Sequence, residues 1–487
     1  MATDELTARR QRLEQLRKQG FDPYPSTIKR SHSIKEVREQ FGELQKKVET
    51  ITVCGRIMAI RKHGGSTFFT VRDDAHNLQV YCKRDVIGQD AYTSLETLDG
   101  GDFLEITGTL FVTHAGEQTV LAKIAPRIIA KALRPLPEKW HGLSDVETRY
   151  RKRYLDLLMN ESVRVVHERR TEISSLIRKF LEERGFTEVE TPILQQIPGG
   201  ATAQPFMTHL NALDLDLYLR IAPELYLKRL LVGGFTKIFE IARCFRNEGI
   251  DHAHNPEFTN VELYQAYIDY RDLMRLVEEL MADLVSKLTG SLEFNFEKYH
   301  LDFTPPYAVK DWMLVLEEIL GETIEHMTDD SLRLVLIEHG VELETADGYG
   351  AMLDKAYKKL VRPNIIQPTF LIDHPIRLSP LAKRHKDKPN RAERFQLVLG
   401  GGIELVNGFS ELNDPLDQRS RFDEQERLRQ AGDKEAQRID EDFLECLEYG
   451  MPPAAGLGLG LDRLAALLTN NHSLKEVILF PTLRPKS

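Results

Sequence analysis

The stretch FRNEGIDHAHNPEFT, Phe245 to Thr259, sets an arginine, acids, two histidines and a proline within fifteen residues. It lies between two strand-like apolar runs, KIFEIARC and VELYQAYI. The question is which chemistry needs a polar loop hung between two strands. Arg246 is a candidate for binding phosphate oxygens, because a guanidinium meets them with paired charge-assisted hydrogen bonds. Glu248 and His254 flank it on the same loop.

Further along, GLGLGLDR (Gly456 to Arg463) lacks the third glycine of a dinucleotide-binding GxGxxG, and no βαβ pattern surrounds it. GxxxxGK[ST] is absent too. The stretch reads as a flat glycine-rich strand running into the helix DRLAALLTNN. Small residues there let a planar group lie against the backbone, and Arg463 at the helix start can meet an anion. A tight strand-to-helix packing turn explains the same glycines. Glu404 and Glu411, in GGGIELVNGFSELND, offer carboxylates for the Mg²⁺ that nucleotide phosphates usually require. Seven residues apart, they fall on opposite faces of a regular strand, so a kink at Asn407-Gly408 is expected. Taken singly, each of these acids and arginines also reads as ordinary surface charge.

A chain of 487 residues is too long for one core and predicts two or three domains. It is 41% hydrophobic and 29% charged, with no apolar run approaching the roughly eighteen residues of a membrane span. Cys54, Cys82, Cys244 and Cys446 lie far apart without metal-ligand spacing. A zinc site or disulfide framework is not expected, and a reducing compartment fits. The N-terminus has no apolar signal core and carries Asp4, Glu5 and Glu14, so a cytoplasmic protein is expected. The net charge of −10 argues against a protein coated for nucleic acid, although local patches decide binding. Two basic clusters exist: Arg9, Arg10, Arg12, Arg17 and Lys18, and RYRKRY from Arg149 to Tyr154. From charge alone, both read as solvated helix faces.

The predicted organisation is α+β. Residues 1–45 read as helical, with Leu6, Leu13 and Leu16 on one side and a break at GFDPYP. Residues 51–130 read as short β-runs of a small antiparallel barrel. ALRPLPEKWHGL follows as a linker, and the larger unit opens with the helical pattern RRTEISSLIRKFLEERG. The boundaries expected are 1–145 for the N-terminal part with linker and 146–487 for the larger domain. In STFFTVRD, Phe69 and Val71 share one face, leaving Phe68 on the other; in NLQVYC, Leu78 and Val80 leave Gln79 opposite. With the apolar faces inward, Phe68 and Gln79 look outward together. A ring beside an amide suits a reader of single-stranded bases; a Phe68 that plugs the barrel end is the other reading. A five-stranded OB-type barrel is the fold expected.

GFTEVETP (Gly185 to Pro192), FRNEGIDHAHNPEFT and GLGLGLDRLAALL resemble the three motifs of class II aminoacyl-tRNA synthetases, in the right order. RIAPELYLKRL, ELYQAY and NGFSELND narrow the resemblance to the lysyl-tRNA synthetase family of bacterial and eukaryotic type, over essentially the whole chain. The resemblance implies an antiparallel catalytic sheet with helices, a homodimer built partly on the first motif, and an N-terminal OB domain for the anticodon of tRNA(Lys). The opening loop is then the one that embraces ATP and the acceptor end of the tRNA. Carried over by position, Arg246 binds the α-phosphate and the amino acid carboxylate, and Arg463 holds the γ-phosphate side; these two are the catalytic residues implied. Glu248, His254 and Asn255 contact the nucleotide, and Phe258 stacks on adenine. For L-lysine, the Gly200 carbonyl and Glu224 face the α-ammonium. Glu262, Tyr264, Asn407 and Glu411 surround the side-chain end, with Phe409 against the methylenes. Phe68, Gln79 and Glu117 match the anticodon readers.

The residues bear independently on lysine, whose two ammonium groups each need an anionic or carbonyl partner once desolvated. A site for aspartate, the sibling specificity, would want a cation where Glu262 stands. There is one departure from the family. An acid usually precedes the position of Glu404 by seven residues and helps to hold Mg²⁺; here Gln396 stands there, with an extra glycine in GGG. Glu404 is the metal ligand expected, and Gln396 a weaker one. Two rivals remain: a paralogue on the same fold that lysylates a protein or makes an amino acid amide, and a non-catalytic RNA-binding relative. The OB domain with Phe68 and Gln79 argues for a tRNA against the first. Arg246, Glu248, Glu404 and Arg463 together argue against the second.

Overall fold

Strand alternation in the first third closes a barrel. The computed structural model describes residues 2–137, 143–345, 347–430 and 437–485; the stretch 138–142 of the expected linker lies outside them. Two compact units form, Met1–Glu161 and Ser162–Ser487. In the first, six strands run in the order Ile51–His63, Ser66–Asp73, His76–Lys83, Gln118–Ala122, Phe103–Val112, Arg127–Ala130. Ile51–His63 also pairs with Phe103–Val112, so five strands close the barrel and the sixth is appended. Val53, Val71, Val80, Ile106 and Val120 are fully buried inside.

Helix Ala2–Lys18 buries Leu13 and Leu16. The solvated-face reading of the basic clusters fails at two residues. Arg9 is 5% exposed and donates to the carbonyls of Gly100, Ala132 and Arg134. Arg153 is fully buried, 2.6 Å from Asp156. Both guanidiniums exchange water for acceptors that the unit's own backbone and acids supply.

The second unit is built on an eight-stranded sheet in the order Ala308–Asp311, Thr369–Ile372, Arg394–Leu399, Ile403–Ser410, Ala454–Gly460, Glu257–Ala266, Lys237–Phe245, Thr187–Glu188. Its pairings are antiparallel except at the two edges. Helices Glu161–Glu182 and Tyr270–Thr289 cover one face, burying Ile173, Ile177, Phe180, Leu273, Val277, Leu280 and Leu284 against Val261, Leu263, Leu457 and Leu459. The second of these helices is fixed at both ends. The Asp269 side chain accepts from the Arg271 and Asp272 N–H groups, and Gly290 closes it in the left-handed conformation.

The kink needed to bring Glu404 and Glu411 to one side is present, but not at Asn407-Gly408. Leu397 pairs with Val406 and Val398 with Glu404, which leaves Leu405 as a bulge. The pairing is regular through Asn407, Gly408 and Phe409. One extra residue on one strand reverses the alternation, so Glu404 shares a face with Asn407 and Phe409.

Candidate active site

The sheet face opposite the helices floors a cleft of about 470 Å³. Period-two geometry selects its residues. Glu262 stands opposite Gly458 and Tyr264 opposite Gly456, and on the other side of those glycines stand Asn407 and Phe409. A Cβ on Gly456 would collide with the Tyr264 ring and come within 2.5 Å of Glu411 Oε1. One on Gly458 would lie 2.8 Å from Asn260 Nδ2 and 3.1 Å from Glu262 Oε1. The glycine row is therefore a floor on which neighbouring side chains lie. Gly200, with φ +86°, reaches the cleft where a Cβ would lie 2.8 Å from that of Glu224.

Of the expected residues, Gly200, Glu224, Arg246, Glu248, His254, Asn255, Phe258, Glu262, Tyr264, Glu404, Asn407, Phe409 and Arg463 all line this cleft, as does Gln396. Glu411 does not. It is 1% exposed, with Oε1 lying against Gly456 beside the Tyr264 ring, and neither of its carboxylate oxygens has a hydrogen-bond partner. Lys228 Nζ approaches one of them to 2.6 Å as an ion pair without hydrogen-bond geometry.

The electrostatics are dominated by buried acids. Glu224, Glu262 and Glu411 are all at least nine-tenths buried, and each is pushed above the usual carboxylate range. Glu262 reaches about 8, first through burial and then through the nearby Glu224 charge. Glu411 also reaches about 8, through burial that the Lys228 ammonium only partly offsets. Asn260 Nδ2 donates to Glu262 at 2.7 Å and the Tyr264 hydroxyl at 3.1 Å, fixing the carboxylate.

The cleft also carries cations. Arg246 Nε is buried without a hydrogen-bond partner, an arrangement that costs free energy until an acceptor arrives. Its guanidinium sits 5.0 Å from the Phe258 ring centroid, covering one face of that ring. Arg463 donates to the Glu404 carbonyl at 2.9 Å, and burial lowers its pKa. The intervening loop is shaped by Asp251, which accepts from the N–H groups of Ala253 and His254 and pairs with the exposed His254 ring at 2.9 Å. Asn255 lines the cleft, but its amide donates to the Glu257 carbonyl and accepts from the Thr482 N–H.

Glu404 lies 3.5 Å from Arg362. Gln396 Oε1 is 3.1 Å from Nε2 of the fully buried His374, which burial, with Arg394 next, holds neutral. His374 donates to the amide oxygen, or, with the amide turned over, accepts from its NH₂ and leaves that oxygen facing the cleft. Among the described residues no group of three His, Cys, Asp or Glu is placed to hold a metal.

In the barrel, Phe68 stacks on Tyr81 with centroids 4.5 Å apart and planes at 9°. It stands outside the barrel core, so it is no plug. Gln79 Oε1 accepts from Thr119 Oγ1 at 2.9 Å, and Glu117 is exposed on the next hairpin.

Sequence reading missed Asn260, Asp462 and Lys228. Asn260 is two residues before Glu262 and so on its face, a signal that was available. Asp462 accepts from Arg170 at 2.7 Å and from the Thr259 N–H at 2.8 Å, tying a distant helix to the loop's end. No local pattern announces that.

Comparison with known proteins gives concordant results. The family described as tRNA synthetases class II (D, K and N) matches residues 145–484, and that of OB-fold nucleic acid binding domains matches residues 51–136. A protein of Pelotomaculum thermopropionicum named lysine–tRNA ligase is 46% identical over 484 residues, 99% of this chain and 95% of its own. One of the same name from Carboxydothermus hydrogenoformans is 48% identical over 482 residues, 99% and 98% of the two chains. A third, from Thermotoga maritima, is 46% identical over 479 residues, covering 97% and 95%.

Proposed function

The chain belongs to the lysine–tRNA ligase family of class II tRNA synthetases, and from that premise we propose that it activates L-lysine with ATP and transfers the lysyl group to the 3′ end of tRNA(Lys). The observation that carries the reading of the substrate is the buried cluster Glu224, Glu262 and Glu411. Lys228 meets two of them, Glu224 and Glu411, and a ligand bearing more than one cation supplies the partners that the desolvated carboxylates otherwise lack.

In this reading the α-carboxylate of lysine is directed to Arg246, whose unpartnered Nε supports an anion there. The carboxylate attacks the α-phosphorus in line. A carboxylate oxygen–phosphorus bond forms, the bond from α-phosphorus to the bridging oxygen breaks, and pyrophosphate leaves. Arg246 takes up the charge on the α-phosphate and Arg463 that on the γ-phosphate side. Glu248, His254 and Asn255 border the nucleotide, and adenine stacks on the face of Phe258 that Arg246 leaves open. The terminal ribose hydroxyl of the tRNA then attacks the lysyl carbonyl and releases AMP. Positioning and charge neutralisation carry the rate.

Mg²⁺ belongs to the same proposal. The Leu405 bulge turns Glu404 to the face of Gln396 and Asn407, and one carboxylate with one amide oxygen suits an ion whose remaining ligands are phosphate oxygens and water. Bound with ATP, it would neutralise phosphate charge. In the barrel, Phe68, Gln79 and Glu117 read the anticodon, within a module of residues 1–145 that precedes the catalytic 146–487. The active species is a homodimer, a reading supported by the exposed Ile193, Leu194 and Met207 just after the first motif. A cytoplasmic location agrees with four cysteines that form no disulfide.

ATP–pyrophosphate exchange across the amino acids tests the reading, with charging of tRNA(Lys) as the second step. Exchange driven by lysine is expected. Exchange driven by aspartate instead, or by no amino acid, overturns it.

A further inference from the structure

Lys228 is fully buried, yet it does not line the cleft. It lies one turn beyond Glu224 on the helix Glu224–Val232, the face of which turns inward. Its Nζ is 2.7 Å from Glu224 Oε1 and 2.6 Å from Glu411 Oε2, and 5.3 Å from the centroid of the Phe409 ring. The chain thus sets its own ammonium against three residues proposed to hold the substrate. The other charged or titratable groups facing this cluster are Glu262 and Tyr264 on the strand Glu257–Ala266, with Arg246 and Arg394 acting from farther away. Arg394 is engaged by Asn407, Leu378 and Ser379.

We propose that Lys228 is a positioning residue that fixes the charge of the amino acid pocket at a value matched to a dication. Three carboxylates against one ammonium leave two negative charges. The two ammonium groups of lysine cancel them, while its carboxylate is met by Arg246. A neutral side chain would leave one buried carboxylate without a partner, which a desolvated site penalises. The mutual arrangement also supports this role: Lys228 bridges Glu224 Oε1 and Glu411 Oε2, and Glu224 lines the cleft. Burial works against its own charge, but Glu224 and Glu411 outweigh that and raise its pKa above the ordinary value.

The inference rests on lysine as substrate. Without the Lys228 ammonium the empty pocket holds its protons more tightly, and those protons must leave before lysine can bind. The test is lysine binding by calorimetry from pH 6.5 to 9, for the full-length wild type and Lys228→Met. For the wild type, affinity should rise with pH and level off only above pH 8, with protons released on binding. For Lys228→Met the lysine Kd should rise at least tenfold at pH 7.5 and the plateau should move up by at least half a pH unit. The KM for ATP should stay within twofold, and Lys228→Arg should restore part of the affinity. A folded Lys228→Met with the wild-type Kd and plateau overturns the proposal, and so does equal weakening of lysine and ATP. Should Lys228→Met not fold, Lys228→Met/Glu224→Gln removes one charge of each sign. Folding of that pair supports the role, and its failure while Glu224→Gln alone folds overturns it. A wild type that activates no lysine would overturn the functional reading instead, a separate outcome.

Discussion

Replacing Glu262 by glutamine keeps the shape of the cleft wall and lets the amide oxygen accept from Asn260 and its NH₂ donate to the Tyr264 hydroxyl, but removes a charge aimed at the proposed substrate ammonium. Loss of one partner from a desolvated charge pair costs about 2–5 kcal/mol. The wild type does not enjoy all of that at neutral pH, because burial and the Glu224 charge raise the Glu262 pKa to about 8. Ionising such a group at pH 7, one unit below its pKa, costs about 1.4 kcal/mol. The net loss for Glu262→Gln at pH 7 is then about 0.6–3.6 kcal/mol, or about 3- to 400-fold in kcat/KM for lysine.

The pH dependence discriminates better than the size. Glutamine does not titrate, and Glu411 titrates in both proteins. From pH 7 to 8.5 the ionised fraction of a carboxyl with that pKa rises from roughly one in eleven to roughly three in four, so the wild-type to variant ratio should grow about eightfold. The assay is lysine-dependent pyrophosphate exchange at saturating ATP, titrated in lysine at half-unit steps. A ratio that stays flat over this range, or lysine kinetics unchanged by the substitution, would refute the assignment of Glu262 as the substrate's anionic partner. A melting series gives an independent check of sign. A carboxyl whose pKa is raised on folding favours the folded state at low pH, and that contribution is lost as pH rises from about 4.5 through about 8. Ligand-free Glu262→Gln should therefore gain on the wild type in Tm between pH 5 and pH 8.5.

Glu404→Ala should nearly abolish exchange, since the phosphates lose their anchored counter-ion; Gln396→Ala should do much less and Gln396→Glu should lower the Mg²⁺ needed, and a Mg²⁺ titration showing the two alanine variants equally damaged would make the glutamine a full ligand. Gly456→Ala forces a methyl into the Tyr264 ring and toward Glu411 Oε1, so by overpacking it should cost about 1–3 kcal/mol and raise the KM for lysine more than that for ATP; equal KM values in variant and wild type would show that the floor yields. Phe68→Ala should leave pyrophosphate exchange intact while raising the tRNA needed for half-maximal charging, because a stacked ring is worth about 1–3 kcal/mol per base. One face of Phe68 is already covered by Tyr81, so the base has the other, and equal losses in exchange and charging would end the reading.

What the sequence disclosed and what it hid separate along one physical line. Period-two alternation is a property of a strand alone, so STFFTVRD and NLQVYC already assign Phe69, Val71, Leu78 and Val80 to the barrel core and Phe68 and Gln79 to its outer face. The same rule, applied to TNVELY, reaches Asn260 from Glu262. Where a neighbour decides the outcome, the local pattern misleads. Glu404 and Glu411, seven apart, call for a kink; the chain puts it at Leu405, because pairing with Arg394–Leu399 leaves one residue over there. The extra glycine in GGG hinted at an irregular hairpin but not at which residue would bulge. Charge is subject to the same limit. Arg9 and Arg153 sit in clusters that look solvated, and their burial depends on acceptors such as the Gly100 carbonyl, ninety-one residues from Arg9. ELYLKRL shows Glu224 and Lys228 at helical spacing, which by itself describes a weak surface pair. Burying that pair beside Glu411 makes it strong, since removing one partner of a desolvated pair exposes the other to its full solvation cost. The specificity proposed for the pocket therefore rests on a charge balance among residues 224, 228, 262 and 411, drawn from three separate stretches of chain, and only their convergence gives the balance its sign.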